Sequence, residues 1–464
     1  MLFPLGWSLY YGEPASSSFA ISAAITGGSG LLLWRLTPGS EGNFSRREAL
    51  MLVTLGWVLA SVFGALPFKL AGTFTSYLDC YFEAMSGFSS TGSSVLADIE
   101  SQPQSILLWR NFSQWLGGMG IITLFVAILP LFGIGVARLA ETEQSGIKTE
   151  KLTARIRDTA RSLWYLYTGF SVLEFILLWQ AGKIPAFDAL TVTFGTMATG
   201  GFCAKNISIE AFNSVTVELI VIAFMVIASI NFSLYYLLIW KRRLKHFLAD
   251  PEFRFYMIVL SGASIFIALN LMNGLGLSIG DAFRYGGFNT VSIMTTTGFS
   301  STDFNLWPSF AKAALLVLMV VGGCAGSTSG GIKVIRLMVL FKQAARRISL
   351  AFNPKAVIAI KVGDSVLSEG VISGITGMIL LYITTIIVGT LIMTALGLDI
   401  VTAISSVIAP LGMVGPGLGL VGPLANYAFI PPPGKVVLII CMLVGRLELL
   451  TAFALLAPSF WKWR

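Results

Sequence analysis

The chain has 464 residues, of which 55% are hydrophobic and only 12% are charged, with a mean hydropathy of +0.80 and a formal net charge of +8. This composition excludes an ordinary soluble protein and predicts an all-α protein that crosses a membrane several times. Four scattered cysteines and a single histidine argue against a metal cluster, and no acid–base pair or nucleophile arrangement suggests an enzyme.

Apolar runs long enough to cross a bilayer recur along the chain, since a hydrocarbon core of about 30 Å needs roughly 20 apolar residues per helix. The start of the chain lacks the features of a signal peptide and looks like the tail of a helix. The predicted crossing helices are one near 16–36, then pairs at 50–72 and 105–132, 163–181 and 215–240, 254–275 and 309–345, and 366–397 and 434–457.

Basic residues are concentrated in alternate connections. The C-terminus and residues 35–47, 138–161, 241–254 and 333–361 hold 23 of the 31 lysines and arginines. Basic loops stay in the cytoplasm, so these regions are predicted to be cytoplasmic. The positive charge therefore reflects topology, and we expect no nucleic-acid partner. A solvated inner loop is the preferred interpretation of KRRLKH at 241–246, with a lipid or nucleic-acid patch as the alternative.

Each of the other connections contains a short apolar run that ends in a glycine-bearing turn. The runs are YFEAMSGFSSTGSS (81–94), FDALTVTFGTMATGGF (187–202), FNTVSIMTTTGFSSTDF (288–304) and IVTAISSVIAPLGMVGPGLG (400–419). Alignment of Gly92, Gly200, Gly298 and Gly415 gives an internal fourfold repeat of helix, re-entrant half-helix and helix. The predicted repeats cover 46–137, 138–245, 246–350 and 351–464, after an extra helical region at 1–45.

This plan predicts one pore on a pseudo-fourfold axis. Non-helical backbone at membrane depth is tolerated only where it is packed in protein or lines water. Glycine can adopt positive φ and turn carbonyl oxygens inward, where a ring of them can replace the hydration shell of a cation. Each half-helix would also direct the negative end of its dipole at the ion. Four ordinary glycine turns are the alternative.

Several motifs resemble the Trk/Ktr/HKT superfamily of potassium transporters, most closely the bacterial Trk-type pore subunits. They are GALPF (64–68), FSSTG (88–92), QWLGGMGI (114–121), ATGGF (198–202), DPEFR (250–254), TTTGF (295–299), GGCAGSTSGGIKVIR (322–336), GPGLG (415–419) and GRLELLT (445–451). The resemblance covers about residues 45–464. The chain departs from the family in fitting one complete helix before residue 45, where two are usual, and in having Met413 where asparagine is common.

The resemblance implies a potassium uptake pore in the bacterial inner membrane, in contact with lipid, with potassium as the transported ion and no bound cofactor. It also implies a homodimer with one pore per subunit, controlled by cytosolic nucleotide-binding subunits. The filter, as the potassium-binding site, would consist of Thr91, Gly92, Thr199, Gly200, Thr297, Gly298, Val414 and Gly415.

The glycine-rich stretch 322–331 is expected to break the second helix of repeat three below the filter. It lacks the GK[ST] ending of a phosphate-binding loop. The resemblance implies an intramembrane gate, and a helix kink without a gating role is the alternative. The gate residues would be Gly322, Gly323, Gly326, Ser327, Gly330 and Gly331.

Arg446 lies deep in the last apolar segment, where a charge costs about 2.5–3.5 kcal/mol on insertion scales. It is expected to face a cavity or a partner. Glu448 is close in sequence, but residues two apart on a helix point to different faces. Similarity to the family favours a pore-lining charge beneath the filter, and a buried ion pair with another helix is the alternative.

The sequence therefore predicts a potassium uptake pore that dehydrates its ion at four glycines. A sodium-permeable or ion-coupled cation transporter of the same superfamily is the alternative. An inverted-repeat secondary transporter is disfavoured, because all four predicted repeats have the same orientation.

Overall fold

A computed structural model describes residues 1–37, 46–132, 149–242, 244–363 and 365–461. These residues are helical apart from short 3-10 turns, loops and one antiparallel hairpin of strands β1 (Lys361–Val362) and β2 (Ser365–Val366). The predicted boundaries after residues 45 and 137 lie outside the described residues, as do the basic residues Arg138, Lys148, Arg243, Lys462 and Arg464.

The N-terminal half contains two helices followed by two repeats. The first two helices are α1 (Leu2–Tyr11) and α2 (Ser16–Leu36). Repeat one contains α3 (Arg46–Gly64), α4 (Leu66–Leu70), α5 (Tyr77–Ser89) and α6 (Gln104–Phe132). Repeat two contains α7 (Thr149–Gln180), α8 (Ala186–Met197), a 3-10 turn (Ser208–Phe212), α9 (Val215–Ser229), α10 (Phe232–Ile239) and α11 (Leu244–Ala249).

The C-terminal half contains the other two repeats, joined through the β-hairpin. Repeat three contains α12 (Pro251–Leu275), α13 (Ile279–Met294), a 3-10 turn (Phe304–Leu306), α14 (Ser309–Val321) and α15 (Val334–Phe352). Repeat four contains α16 (Glu369–Ala395), α17 (Ile400–Gly412), a 3-10 turn (Gly419–Val421), α18 (Pro432–Arg446), α19 (Leu450–Leu456) and α20 (Pro458–Trp461).

Within the described part of the chain, five helical segments are long and apolar enough to cross a membrane. They are Ser16–Leu36, Leu50–Leu70, Ala160–Gln180, Pro251–Leu275 and Glu369–Ala395. The pair α9 and α10 makes a sixth span if its two parts are counted together. In each of the five segments, between 11% and 33% of the apolar window is buried inside the protein. Most of their apolar surface is therefore available to lipid, as a polytopic membrane protein requires.

The helices α5, α8, α13 and α17 are the predicted re-entrant half-helices. They contain 12 to 16 residues, and at 1.5 Å per residue they are about 18–24 Å long, too short to cross a bilayer. Three of them begin with a capping side chain that accepts a hydrogen bond from a first-turn N–H, namely that of Ser76, Ser278 or Asp399. These caps satisfy exposed donors at the helix start and set where these three half-helices begin.

Two crossing helices that the sequence predicts as continuous are broken. The predicted helix 215–240 bends by 96° between α9 and α10. The predicted helix 434–457 is interrupted after Arg446, with positive φ at Glu448 and Leu449. Both breaks lie next to the loop between α14 and α15. The loop forms hydrogen bonds with the backbone at the break between α9 and α10. Lys333 of the loop pairs with Glu448 at the break after Arg446.

At the beginning of the chain, residues Leu2–Tyr11 form the ten-residue helix α1. Its end, at Gly12, has a left-handed conformation and donates to the carbonyl of Ser8. Glycine adopts this conformation without strain, so the chain can turn there before α2 begins.

Candidate functional site

The four half-helices end in the same backbone turn. A residue in left-handed conformation follows each helix, namely Ser90, Thr199, Thr296 and Met413. The next N–H bonds to the carbonyl five residues earlier, with Thr91, Gly200, Thr297 and Val414 as the donors. The turn then reaches a glycine with φ between 74° and 95°, namely Gly92, Gly201, Gly298 and Gly415. An L side chain rarely adopts that conformation, so glycine is required there.

The second turn differs in register from the prediction. Gly201 occupies the position of Gly92, whereas Gly200 occupies that of Thr91. The sequence contains two consecutive glycines here, and each can adopt positive φ. The helix end decides between them, because Thr199 takes the left-handed conformation that closes α8.

The four turns meet in a closed ring. A Cβ added at Gly92 would overlap the carbonyl oxygen of Gly200 in the next repeat. The same relation joins Gly201 to Thr297 and Gly298 to Val414, and a Cβ at Gly415 would come within 3.0 Å of the carbonyl oxygen of Thr91. Each repeat thus contacts the following one, and the fourth returns to the first. Residues 90–92, 199–201, 296–298 and 413–415 are called the glycine ring below.

Polar side chains of α6 hold the second turn in place. Gln114 donates from Nε2 to the Gly200 carbonyl at 2.6 Å and accepts at Oε1 from the N–H of Phe202 at 3.0 Å. Asn111 donates to the carbonyl of Phe202 at 2.6 Å. Backbone groups of the turn are therefore paired by a neighbouring helix, as buried polar groups require.

A buried ion pair lies behind the first and second turns. Arg110 Nε is 2.6 Å from Glu83 Oε1, and both side chains are almost fully buried. Glu83 also accepts from the N–H of Val95 at 2.9 Å, and the guanidinium lies 3.5 Å from the ring centre of Phe202. The pair therefore ties α5 and α6 to the chain that leaves both turns.

The sequence analysis missed Glu83, Arg110 and Gln114. A signal was present, because Glu83 and Arg110 are charges within apolar runs that are expected to lie at membrane depth. Charges in such segments usually face the interior and pair with one another. Which carboxylate pairs with which guanidinium is not encoded locally.

Loops on the side where the half-helices begin join neighbouring repeats. Asn206 accepts from the N–H of Ile99 at 2.8 Å and donates to Asp98 at 3.2 Å. The hydrogen bond from Asn206 lowers the pKa of Asp98, which is exposed. Asp98 is therefore charged at neutral pH.

The glycine-rich loop, residues 322–333, lies directly under the glycine ring. Ser329 Oγ donates to the carbonyl of Thr295 at 2.8 Å, and the N–H of Gly330 donates to Thr296 Oγ1 at 2.8 Å. The predicted gate residues Gly322, Gly323, Gly326, Ser327, Gly330 and Gly331 all belong to this loop, which separates α14 from α15. A Cβ at Gly330 would overlap the carbonyl oxygen of Gly412, so the loop touches the end of α17 as well.

Arg446 lies between the glycine ring and this loop and is 1% exposed. Its guanidinium donates to the Gly117 carbonyl at 2.5 Å, to Ser90 Oγ at 3.3 Å and to the Thr328 carbonyl at 3.3 Å. Among the described residues it forms no ion pair. Glu448 instead pairs with Lys333 at 2.9 Å and with Arg336.

Little space remains beneath the ring. A cavity of about 10 Å³ lies there, lined among others by Ser329, Gly330, Lys333, Arg336, Met413 and Arg446. This is at most the space of one water molecule. The loop and the cationic side chains therefore fill the region between the ring and the ends of α14 and α18.

The whole chain is similar to known proteins that share this arrangement of repeats. A family model described as TrkH, cation transport protein, matches residues 16–463. The chain belongs to the TrkH family. It is 38% identical over 464 residues to the Trk system potassium uptake protein TrkH of Halomonas elongata. The aligned region covers 100% of this chain and 96% of that relative.

Other members of the TrkH family show the same extent of similarity. The TrkH protein of Escherichia coli K12 is 37% identical over 469 residues, covering 100% of this chain and 96% of its own length. The crystal structure of the potassium transporter TrkH from Vibrio parahaemolyticus superimposes with a TM-score of 0.91 at 35% identity, covering 99% of this chain and 96% of that one. The predicted all-helical, multi-pass membrane fold is thereby confirmed, and the TrkH family consists of transporters rather than enzymes.

Replacing Glu83 with alanine should lower the free energy of unfolding by about 3–5 kcal/mol, because the Arg110 guanidinium would stay buried without its carboxylate. The matched control is Glu369→Ala. Glu369 pairs with Arg346 but is 72% exposed, and its loss should cost less than about 1 kcal/mol. Thermal unfolding of both variants in detergent measures the difference. Equal melting temperatures would contradict a stabilising role for the buried pair.

Proposed function

We propose that this protein takes up potassium through the glycine ring, which acts as its selectivity filter. The closed ring carries the proposal, because four separate repeats place a positive-φ glycine and the preceding carbonyl against each other in the same way. Relatives that are 37–38% identical over the full chain are named potassium uptake proteins, which supports potassium as the ion. The glycine in the second repeat is then Gly201.

The chemistry of such a ring suits a dehydrated monovalent cation. The preceding carbonyls belong to Thr91, Gly200, Thr297 and Val414, and oxygens at a ring centre can replace water around an ion. The four half-helices end at the ring, so the negative ends of their dipoles favour a cation there. Hydroxyl pairs such as Ser89–Thr91 at 2.7 Å and Thr295–Thr297 at 2.8 Å satisfy polar groups beside the ring.

The proposed orientation follows from charge. The basic connections and the C-terminus lie in the cytoplasm, and the half-helices enter from the outside of the bacterial inner membrane. Potassium then meets the glycine ring first and the glycine-rich loop second.

The glycine-rich loop is the proposed gate. It occupies the space under the ring and leaves a cavity of about 10 Å³, so a potassium ion passes only if the loop moves. The loop continues directly into α15, whose residues Phe341, Ile348 and Phe352 are exposed beside Arg346 and Arg347. A cytosolic nucleotide-binding subunit that moved α15 would move the loop, and two such pores would assemble as a homodimer in the lipid bilayer.

A sodium-permeable or ion-coupled transporter of the same superfamily is the second candidate. Glycine at all four ring positions favours potassium, because a larger side chain would change the carbonyl geometry. Uptake of rubidium-86 into proteoliposomes, with potassium or sodium as competitor, tests the choice. Potassium should suppress the uptake far more strongly than sodium, and equal suppression would support the second candidate.

Replacing Gly201 or Gly298 with serine should reduce discrimination between potassium and sodium by at least about tenfold. Each added Cβ would be strained at positive φ and would overlap the carbonyl of the next repeat, and 1.4 kcal/mol already corresponds to tenfold in an equilibrium. Gly287→Ser is the control, because nothing lies within 4 Å of a Cβ at that helical glycine. The competition profile of rubidium uptake measures the effect, and an unchanged profile in Gly298→Ser would reject the filter assignment.

Deletion of residues 326–331 should raise rubidium uptake several-fold, because the loop blocks the space below the ring only while it is present. Deletion of the hairpin residues 361–366, which belong neither to the glycine ring nor to the glycine-rich loop, is the control of equal length. Both variants are compared per molecule inserted in liposomes. A loop-deleted protein that assembles but carries no more ion than the parent would identify the loop as a structural kink.

Replacing Arg446 with alanine should also raise uptake. Two unit charges 4 Å apart repel by about 4 kcal/mol at an effective dielectric of 20, and the guanidinium lies just beneath the ring beside Ser90. Arg446→Lys keeps the charge and should stay closer to the parent in flux. Ion flux and melting temperature are measured together, and a large loss of stability without a gain in flux would show that Arg446 only supports the packing.

A further inference from the structure

The inner helix of repeat two is interrupted where the glycine-rich loop packs against it. Helices α9 and α10 meet at 96°, with Ile230 and Asn231 between them. In a continuous helix the N–H groups of Phe232 and Ser233 would bond to carbonyls four residues earlier, at Ala228 and Ser229. The interruption leaves those two carbonyls and two donors without their helical partners.

The glycine-rich loop takes up three of these four groups. The Ala228 carbonyl accepts from the N–H of Thr328 at 3.3 Å and from its hydroxyl at 3.1 Å. The Ser229 carbonyl accepts from the N–H of Cys324 at 3.0 Å, and the N–H of Phe232 donates to the Gly326 carbonyl at 3.0 Å.

The fourth group is paired by a side chain of the interruption itself. Asn231 Oδ1 accepts from the N–H of Ser233 at 2.9 Å and so caps α10. The same carboxamide faces the loop, because a Cβ added at Gly326 would lie 2.8 Å from Asn231 Oδ1. Asn231 therefore stabilises the bent helix at the point where the loop is seated.

We propose that the loop and the interrupted helix exchange hydrogen bonds during gating. The loop leaves the pore when α9 and α10 join into one helix. Asn231 is the positioning residue that keeps the helix bent and the loop in its place. The proposal rests on the proposed gate and deepens it. It assigns control of the loop to repeat two, although the loop belongs to repeat three.

The exchange follows from the requirement that buried backbone groups stay paired. If the loop left while the helix stayed bent, the Ala228 and Ser229 carbonyls and the Phe232 N–H would lose their partners. If the helix became continuous, the same groups would pair with one another. These helix groups are paired in both end states but not in the intermediate, and this couples the two movements.

The coupling gives a route from the membrane surface to the gate. Along the chain, helix α10 is followed by α11 and then by α12, which begins at Pro251. Glu252, in the first turn of α12, accepts from the N–H of Ala325 in the loop at 2.7 Å. The loop is therefore bonded to the chain on both sides of α11, at Phe232 and at Glu252.

The first test compares three substitutions at position 231. Asn231→Ala removes the cap that opposes a continuous helix and should raise rubidium uptake into proteoliposomes several-fold. Asn231→Ser keeps a capping oxygen and should stay near the parent. Ser214→Ala is the matched control, because it removes the cap at the other end of α9, far from the loop. Equal uptake by Asn231→Ala and Asn231→Ser would overturn the proposal.

Asn231→Pro should have the opposite effect. Asn231 has φ −58°, which proline can adopt, whereas proline in the interior of a continuous helix loses a hydrogen bond and clashes with the preceding turn. The variant should fail to support potassium uptake in cells that lack other uptake systems. Removal of residues 326–331 should restore uptake, since no loop then has to move. A variant that stays inactive without the loop would contradict the exchange.

A distance measurement tests the helix directly and does not depend on substitutions at position 231. Spin labels on Val215→Cys and Ile239→Cys, both half-exposed positions, report the length of α9 and α10. At 1.5 Å per residue the bent pair spans about 25 Å and a continuous helix about 35 Å. The loop-deleted protein should show the longer distance. An unchanged distance, together with raised uptake, would leave the gate in place and reject the exchange, whereas unchanged uptake on deletion would reject the gate and the exchange together.

Discussion

Every backbone N–H and carbonyl at membrane depth needs a partner within the protein, because hydrocarbon offers none. The glycine ring meets this requirement at the ends of four half-helices, and the glycine-rich loop meets it beside the interrupted helix of repeat two. Side chains complete the pairing where the backbone cannot. Gln114 serves the second turn in this way, and Thr296 serves the N–H of Gly330. Helix interruptions are therefore found together, because each one supplies the partners that another lacks.

The same constraint decides where charges lie. Glu83 and Arg110 neutralise each other behind the ring, and Glu448 pairs with Lys333 at the exit of the loop. Arg446 differs, because its guanidinium donates to two carbonyls and a hydroxyl rather than to a carboxylate. Among the described residues, no carboxylate neutralises its positive charge, which lies beneath the ring next to Ser90.

The four repeats are equivalent at the ring but unequal behind it. Repeat one braces the turn of repeat two through α6, repeat two seats the loop of repeat three, and repeat four contributes Arg446. In the proposed function, the symmetric ring selects the ion through four similar sets of oxygens. The asymmetric loop beneath the ring is the proposed part that moves to admit it.

The sequence by itself determined the crossing helices, the half-helices and the glycine turns, because apolar length and the ability to adopt positive φ are local properties. The register of Gly201 has a local signal, because Phe202 follows Gly201 as Phe299 follows Gly298, and the end of α8 agrees with it. Tertiary structure alone decided the interruption at Ile230 and Asn231. The stretch IASINFSLYY is typical of a continuous apolar helix. It is broken because a loop 94 to 100 residues later binds its backbone groups. Pairings between distant segments, such as Glu448 with Lys333, depend on how helices pack and leave no periodic signal in the chain.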